Sequence, residues 1–233
     1  MRKAALFSLV LLGLPFAAAA RQPVVVELYT AQGCASCGEA NAFVAKLAEK
    51  PGVLALTFPV DYWDYLGWAD TFAKPEFSVR QKAYVAKLAL REPYTPQVVV
   101  DGAAQASGSK ADKVARLVAD ARKGPHDPPD IHFVGEGRVY VGSGRPPRGG
   151  GDVWLIRYDP RDQEVAVKSG DNKGQTIPQK NVVRELKRLG AWRGRPVAFH
   201  LPAASEDGLK TVVLLQGAHG GRVLAAGEPK ANS

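Results

Sequence analysis

The chain has very little sulfur. Its 233 residues include two cysteines and one methionine, Met1. Two cysteines exclude a small protein built on a disulfide scaffold. Histidine is scarce too: His126, His132, His200 and His219 are scattered, and none has ligand spacing with another or with a cysteine. The formal charge is +8, yet no basic run interleaved with aromatics occurs, so nucleic-acid binding has little support. Only one apolar run raises the question of a membrane, and it is N-terminal. Arg2 and Lys3 precede an apolar core at residues 4–16, followed by Ala17-Ala18-Ala19-Ala20. That order reads as a secretory signal peptide, residues 1–20, and the apolar core is short for a membrane span. Cleavage removes Arg2 and Lys3, so the charge falls from +8 to +6, and 213 of the 233 residues remain. That length suits one large domain or two small ones. The expected location is periplasmic or secreted, with no stable membrane span after cleavage.

Both cysteines fall in one motif, Cys34-Ala35-Ser36-Cys37. In an exported chain such a pair is a redox site, a small structural staple or half of a metal site. The motif follows an apolar run, Val24-Val25-Val26-Glu27-Leu28-Tyr29, and opens a helix-like stretch to Lys50. A helix start supplies unpaired N–H groups and partial positive charge, both of which favour a thiolate. In a C-x-x-C site the first cysteine is ordinarily the exposed one and attacks, while the second resolves the mixed disulfide. Cys34 is therefore the candidate nucleophile and Cys37 the candidate resolver. The Ala35-Ser36 pair between them carries no charge to bias the potential, so the direction of electron flow stays open.

The order of elements is β-α-β-α-β-β-α up to residue 124. Strands are expected at 23–30, 53–60, 97–100 and, briefly, up to Ala106. Ser36-x-x-Glu39 resembles a capping box for the first helix. Ser78-x-x-Gln81 is the expected cap of a second, with Val79, Ala83, Leu88 and Leu90 in its stripe. Ser109 is the expected cap of a third, whose apolar face is Val114, Leu117, Val118 and Ala121. This alternation suggests an α/β sheet with helices on both faces. Gly124-Pro125-His126-Asp127-Pro128-Pro129 then breaks the pattern. Beyond it, short strand candidates at 131–134, 138–142, 153–158, 164–168, 197–201 and 211–216 point to a mostly antiparallel β region over 125–233. Residues 181–189 read equally as helix or strand. Gly149-Gly150-Gly151 lacks the strand-then-helix context of a phosphate loop.

Thr95-Pro96 is the second element of the candidate site. Pro96 leads directly into an apolar strand. It either sits against the sulfurs, with Thr95 offering its backbone to an extended substrate, or begins an edge strand as an ordinary trans proline. Residues 24–123 resemble a thioredoxin-like domain, on the strand before the cysteines, the C-x-x-C at a helix start and Tyr94-Thr95-Pro96-Gln97-Val98-Val99-Val100-Asp101-Gly102. More narrowly, the chain resembles a family of exported bacterial thioredoxin-like proteins of unknown function. That likeness rests on Leu28-Tyr29-Thr30-x-Gln32-Gly33-Cys34-x-Ser36-Cys37, on Val60-Asp61-Tyr62-Trp63-Asp64-Tyr65-Leu66-Gly67-Trp68, on Tyr94-Thr95-Pro96-Gln97 and on Val153-Trp154-Leu155-Ile156-Arg157-Tyr158. Gly38 departs from the pattern, which has proline there and so a firmer first helical turn. The resemblance implies a thioredoxin-like domain with a helical insertion over 21–124, followed by the β region. It also makes Glu27 a candidate for proton transfer to the resolving cysteine; the alternative for Glu27 is a hydrogen bond or salt bridge.

The aromatic insertion at 61–72 offers Tyr62, Trp63, Tyr65, Trp68 and Phe72. These either wall a peptide groove, with Trp63, Trp68 and Tyr94 as its contacts, or pack the insertion onto the domain. The leading functional reading is an exported thiol–disulfide oxidoreductase acting on protein or peptide thiols and disulfides. It needs no bound cofactor, and a redox partner recycles it. Two other readings use the same residues. A soft-metal module holds a cuprous ion between two thiolates, although the methionine usual beside such a loop is missing. A binding protein keeps an inert Cys34–Cys37 bond and places its function in the β region.

Overall fold

Val24–Thr30 (β1) is buried along its whole length, which explains why it reads as a continuous apolar run rather than an alternating one. Val24, Val26 and Leu28 join one core cluster, while Val25 and Tyr29 join another on the opposite face. The computed structural model describes residues 22–124 and 127–230. The expected signal peptide, residues 1–20, and His126 lie outside the described residues.

Val53–Pro59 (β2) pairs parallel to β1, and Gln97–Val100 (β3) pairs antiparallel on its other side. Ala104–Ser107 (β4) pairs with β3. Cys37–Ala48 (α1) is the crossover from β1 to β2. It buries Ala40, Val44 and Leu47 beside Val114 and Val118 of Ala111–Ala121 (α3). Pro75–Lys87 (α2) covers the other face with Phe77 and Tyr84. Helices therefore lie on both faces, as the alternation predicts.

Two of the expected caps are displaced. Helix α2 starts at Pro75, three residues before Ser78, because proline is well suited to the first helical position. Its buried residues are Phe77, Ser78, Arg80, Gln81 and Tyr84, and Val79 points outward at 66% exposure. Lys110, not Ser109, precedes α3, and no side chain caps that helix.

Beyond the proline break come Ile131–Val134 (β5), Arg138–Val141 (β6), Gly151–Asp159 (β7), Gln163–Ala166 (β8), Thr176–Gln179 (β9), Val182–Trp192 (β10), Val197–His200 (β11), Lys210–Gly217 (β12) and Val223–Gly227 (β13). Residues 182–189 are thus strand, and Asn181 is the bend before it. Leu186 packs on the cluster that holds the cysteines, and Leu189 on the cluster beneath β5 and β6. A helix would place residues three apart on one face, whereas a strand turns Leu186 and Leu189 to opposite faces of the sheet, as their two clusters require.

The strands form an eight-stranded sheet, β13-β12-β7-β10-β2-β1-β3-β4, with a three-stranded sheet β11-β6-β5 and a two-stranded hairpin β8-β9. The central sheet therefore runs across the proline break. The seam is Val182 of β10 beside Thr57 of β2. Asn181 holds it: its carboxamide donates to Ala55 O at 2.8 Å, and its carbonyl accepts from Thr57 N at 3.0 Å. Among the described residues no helix is long and apolar enough to cross a membrane.

Candidate functional site at the Cys34–Cys37 disulfide

The loop after β1 turns tightly into α1. Cys34 N–H donates to Ala31 O at 3.1 Å, and Cys37 N–H donates to Cys34 O at 3.0 Å. That turn brings the two Cα atoms to 5.4 Å, and the sulfurs are joined in a disulfide. Ser36 stands at the cap position of α1 without capping it; its hydroxyl lies 3.7 Å from the Cys34 sulfur instead. The capping-box expectation fails there because the side chain turns toward the sulfur.

Cys34 is 1% exposed and Cys37 0%. The usual difference between an open first cysteine and a shielded second one is therefore not present in the disulfide form. The loop is covered from two sides, and Gln32 is the hub of that cover. Its N–H donates to the Asp70 carboxylate at 2.7 Å, and its Nε2 donates to Thr71 Oγ1 at 2.8 Å. Its Oε1 accepts from the Trp68 indole at 2.9 Å and from Thr71 N–H at 3.2 Å. Its carbonyl accepts from the Asn172 carboxamide at 2.7 Å, and the same carboxamide nitrogen reaches Cys34 O at 3.0 Å. Burial raises the Asp70 carboxyl to about 6, against the opposing pull of the Gln32 and Phe72 N–H groups.

The Thr95–Pro96 bond is cis and Pro96 is buried. Pro96 O accepts from Gly108 N–H at 2.8 Å. A Cβ on Gly108 would come within 2.7 Å of Ala40 Cβ and 3.0 Å of Pro96 Cβ, so only glycine lets α1, Pro96 and the β4–α3 turn meet. Trp63 links this proline to the cysteine loop: its indole donates to Thr95 Oγ1 at 2.8 Å, and its Cβ lies 3.8 Å from where a Cβ on Gly33 would be.

The structure thus brings Cys34, Cys37, Thr95, Pro96, Trp63 and Trp68 together. The indole N–H groups of Trp63 and Trp68 are both engaged inside this frame. Tyr94 bonds sideways to Gln105 through its hydroxyl, and its carbonyl accepts from Gln81. Tyr65 is the aromatic of the insertion that faces solvent, at 80% exposure.

Glu27 adopts the salt-bridge alternative. Its carboxylate receives Arg80 Nε at 2.7 Å and Arg80 Nη2 at 2.9 Å, together with Tyr29 Oη at 2.9 Å and Tyr84 Oη at 2.6 Å. Arg80 also faces the rings of Phe58, Tyr84 and Trp154. Four donors leave the carboxylate no hydrogen bond to a sulfur. Burial and the neighbouring Glu27 charge raise the Tyr29 hydroxyl well above its ordinary value.

Arg80 and Asn172 are participants beyond the residues that the motifs single out. Arg80 carries a signal, a cation between Phe77 and Tyr84 on the apolar face of its helix. Asn172, in a Gly/Asp/Asn/Lys turn, carries none. His132, His200 and His219 are exposed, and the described residues contain no group of three or more side chains arranged to hold a metal.

A family model described as protein of unknown function (DUF1223) matches residues 25–216. The chain belongs to the DUF1223 family. Among solved structures, it is similar to protein AGR_C_4864 from Agrobacterium tumefaciens, with 31% identity, TM-score 0.73, and coverage of 93% of this chain and 99% of that one. It is also similar in fold to HBP35 of Porphyromonas gingivalis, at 12% identity and TM-score 0.54, covering 91% of this chain and 78% of that one. No curated protein matches it.

Proposed function

We propose that this DUF1223 protein is an exported, thioredoxin-like thiol–disulfide oxidoreductase. Cys34 attacks and Cys37 resolves on protein or peptide thiols or disulfides. The observation that carries the reading is the Cys34–Cys37 disulfide at the start of α1, framed by Trp63, Thr95 and Pro96. The β1-α1-β2 unit followed by antiparallel β3 and β4 and then α3 supports the thioredoxin-like assignment. The signal-like N-terminus supports export. Trp63 and Trp68 act chiefly by shaping the loop that holds Cys34, and Tyr65 is the aromatic free to meet a peptide. A separate redox partner recycles the pair.

The burial of both sulfurs favours one competing reading, a binding protein whose disulfide is inert. One experiment separates the two. The mature chain is equilibrated with glutathione buffers, and free thiols are trapped. A reversible midpoint between about −120 and −270 mV supports the oxidoreductase and gives its direction. A bond that stays closed below about −300 mV supports the inert reading.

A further inference from the structure

The β8–β9 hairpin reaches from the C-terminal half onto the cysteine loop. Its tip is closed by its own backbone: Val167 N–H donates to Gln175 O, Gly174 N–H to Val167 O, and Gln175 N–H to Asn172 O, each at 2.9 Å. Val167 and Ile177 of the hairpin are buried. The Ser169 hydroxyl donates to Gly67 O of the insertion, so the tip is docked on that side as well. At the apex stands Asn172, 1% exposed. Its Nδ2 donates to Gln32 O at 2.7 Å and to Cys34 O at 3.0 Å. Both acceptors are carbonyls, which requires the NH2 end of the carboxamide here and uses both of its hydrogens. Asp70 holds the Gln32 N–H from the other side at 2.7 Å. The backbone before Cys34 is thus gripped by the insertion and by the hairpin together.

We propose that Asn172 is a positioning residue for the Cys34–Cys37 couple. By clamping the carbonyls on either side of Gly33, it holds Cys34 in the geometry of the closed disulfide, and reduction in turn loosens the hairpin tip. The proposal rests on the redox reading above. Ring closure requires Cys34 to stay beside Cys37, and a loop already ordered by outside contacts loses less conformational freedom on closing. Coupling of this kind is reciprocal: a clamp that favours the disulfide is itself favoured by the disulfide. In the reaction, one glutathione thiolate attacks Cys34 and forms a mixed disulfide, and Cys37 leaves and takes up a proton. A second glutathione thiolate attacks the glutathione sulfur, and Cys34 leaves as a thiolate that takes up the second proton. The sum is one protein disulfide and two glutathione thiols giving two protein thiols and one glutathione disulfide. Cys34 is covered, so the first attack requires the tip to yield. This gives the C-terminal half a role in the redox site.

The test compares the mature chain with Asn172→Ala and Asn172→Asp. Aspartate has nearly the same shape, but as a carboxylate it offers the two carbonyls no hydrogen. Both variants are expected to shift the glutathione equilibrium toward the dithiol by about tenfold, the effect of one or two buried hydrogen bonds. The melting temperature of the oxidised form is expected to fall more than that of the reduced form. Equal losses in both forms with an unchanged equilibrium constant overturn the proposal, because a merely structural asparagine behaves that way. If neither variant folds, wild-type hydrogen exchange decides. The two Asn172 carboxamide hydrogens should exchange slowly in the oxidised protein and faster after reduction, and equal protection overturns the proposal. If the wild-type disulfide does not equilibrate with glutathione, the oxidoreductase reading falls. The Asn172 coupling is then judged on melting of the oxidised and dithiothreitol-reduced forms.

Discussion

Asp70 and Glu27 show how differently two buried carboxylates are treated. Asp70 has two N–H donors but no buried cation, and burial lifts it from 3.8 to about 6. Its folded-state pKa is raised, so its stabilising contribution is complete below about pH 4 and disappears as pH rises through about 6. A shift of two units corresponds to about 3 kcal/mol. Asp70→Asn keeps an acceptor for Gln32 N–H and removes the titration. Urea unfolding at pH 4 and pH 7 should therefore show the variant gaining on the wild type by up to about 3 kcal/mol as pH rises. A difference that is the same at both pH values would contradict the assignment. Glu27 instead meets Arg80, Tyr29 and Tyr84. Breaking a buried pair strands the surviving charge, so Glu27→Gln and Arg80→Met should each cost about 3–5 kcal/mol. The double variant should cost less than the two losses added, measured by denaturant unfolding. A charged residue inside an apolar strand is visible in the sequence, but its partner is not, because 53 positions separate the two.

At the scale of elements, α1 carries the departure noted at Gly38. A Cβ there would meet nothing within 4 Å. Gly38→Ala should therefore stabilise the helix start by about 0.5–1 kcal/mol, read as a rise in the unfolding midpoint with an unchanged slope. Strands with strong apolar patterning, β1, β2 and β3, stand within a residue of their expected bounds because burial on both faces demands unbroken apolar runs. Helix α2 starts ahead of its expected cap because Ser78 and Gln81 only mimic one. They serve tertiary partners instead: Ser78 donates to Asp61, and Gln81 donates to Tyr94 and Gln97. Strands β9 and β13 carry little strand signal, since Thr176–Gln179 contains a proline and Val223–Gly227 is rich in alanine and glycine.

For the whole molecule, the decisive fact is that one sheet crosses the proline break. The cluster around the cysteines takes Ile156, Tyr158, Val183, Val212 and Leu214 from the C-terminal half. Residues 22–124 alone would leave β2 without β10 and that cluster without its C-terminal members, so this fragment should not fold by itself. The full chain should unfold in a single transition, with tryptophan fluorescence and far-ultraviolet circular dichroism coincident. Trp63 and Trp68 report the first half and Trp154 and Trp192 the second. Two separated transitions would refute the shared core.

The sequence by itself determined the alternation of strands and helices up to residue 124, the placement of the only two cysteines three apart at a helix start, and the β character of the remainder. All of these depend on local periodicity, on turn residues and on a spacing of three. Tertiary structure decided the rest: that β10 joins β2, that Glu27 answers Arg80, and that Asn172 reaches Cys34 across 138 positions. Those contacts join residues whose own stretches of chain carry no trace of one another. A buried polar group takes its partner from whatever element folding brings beside it.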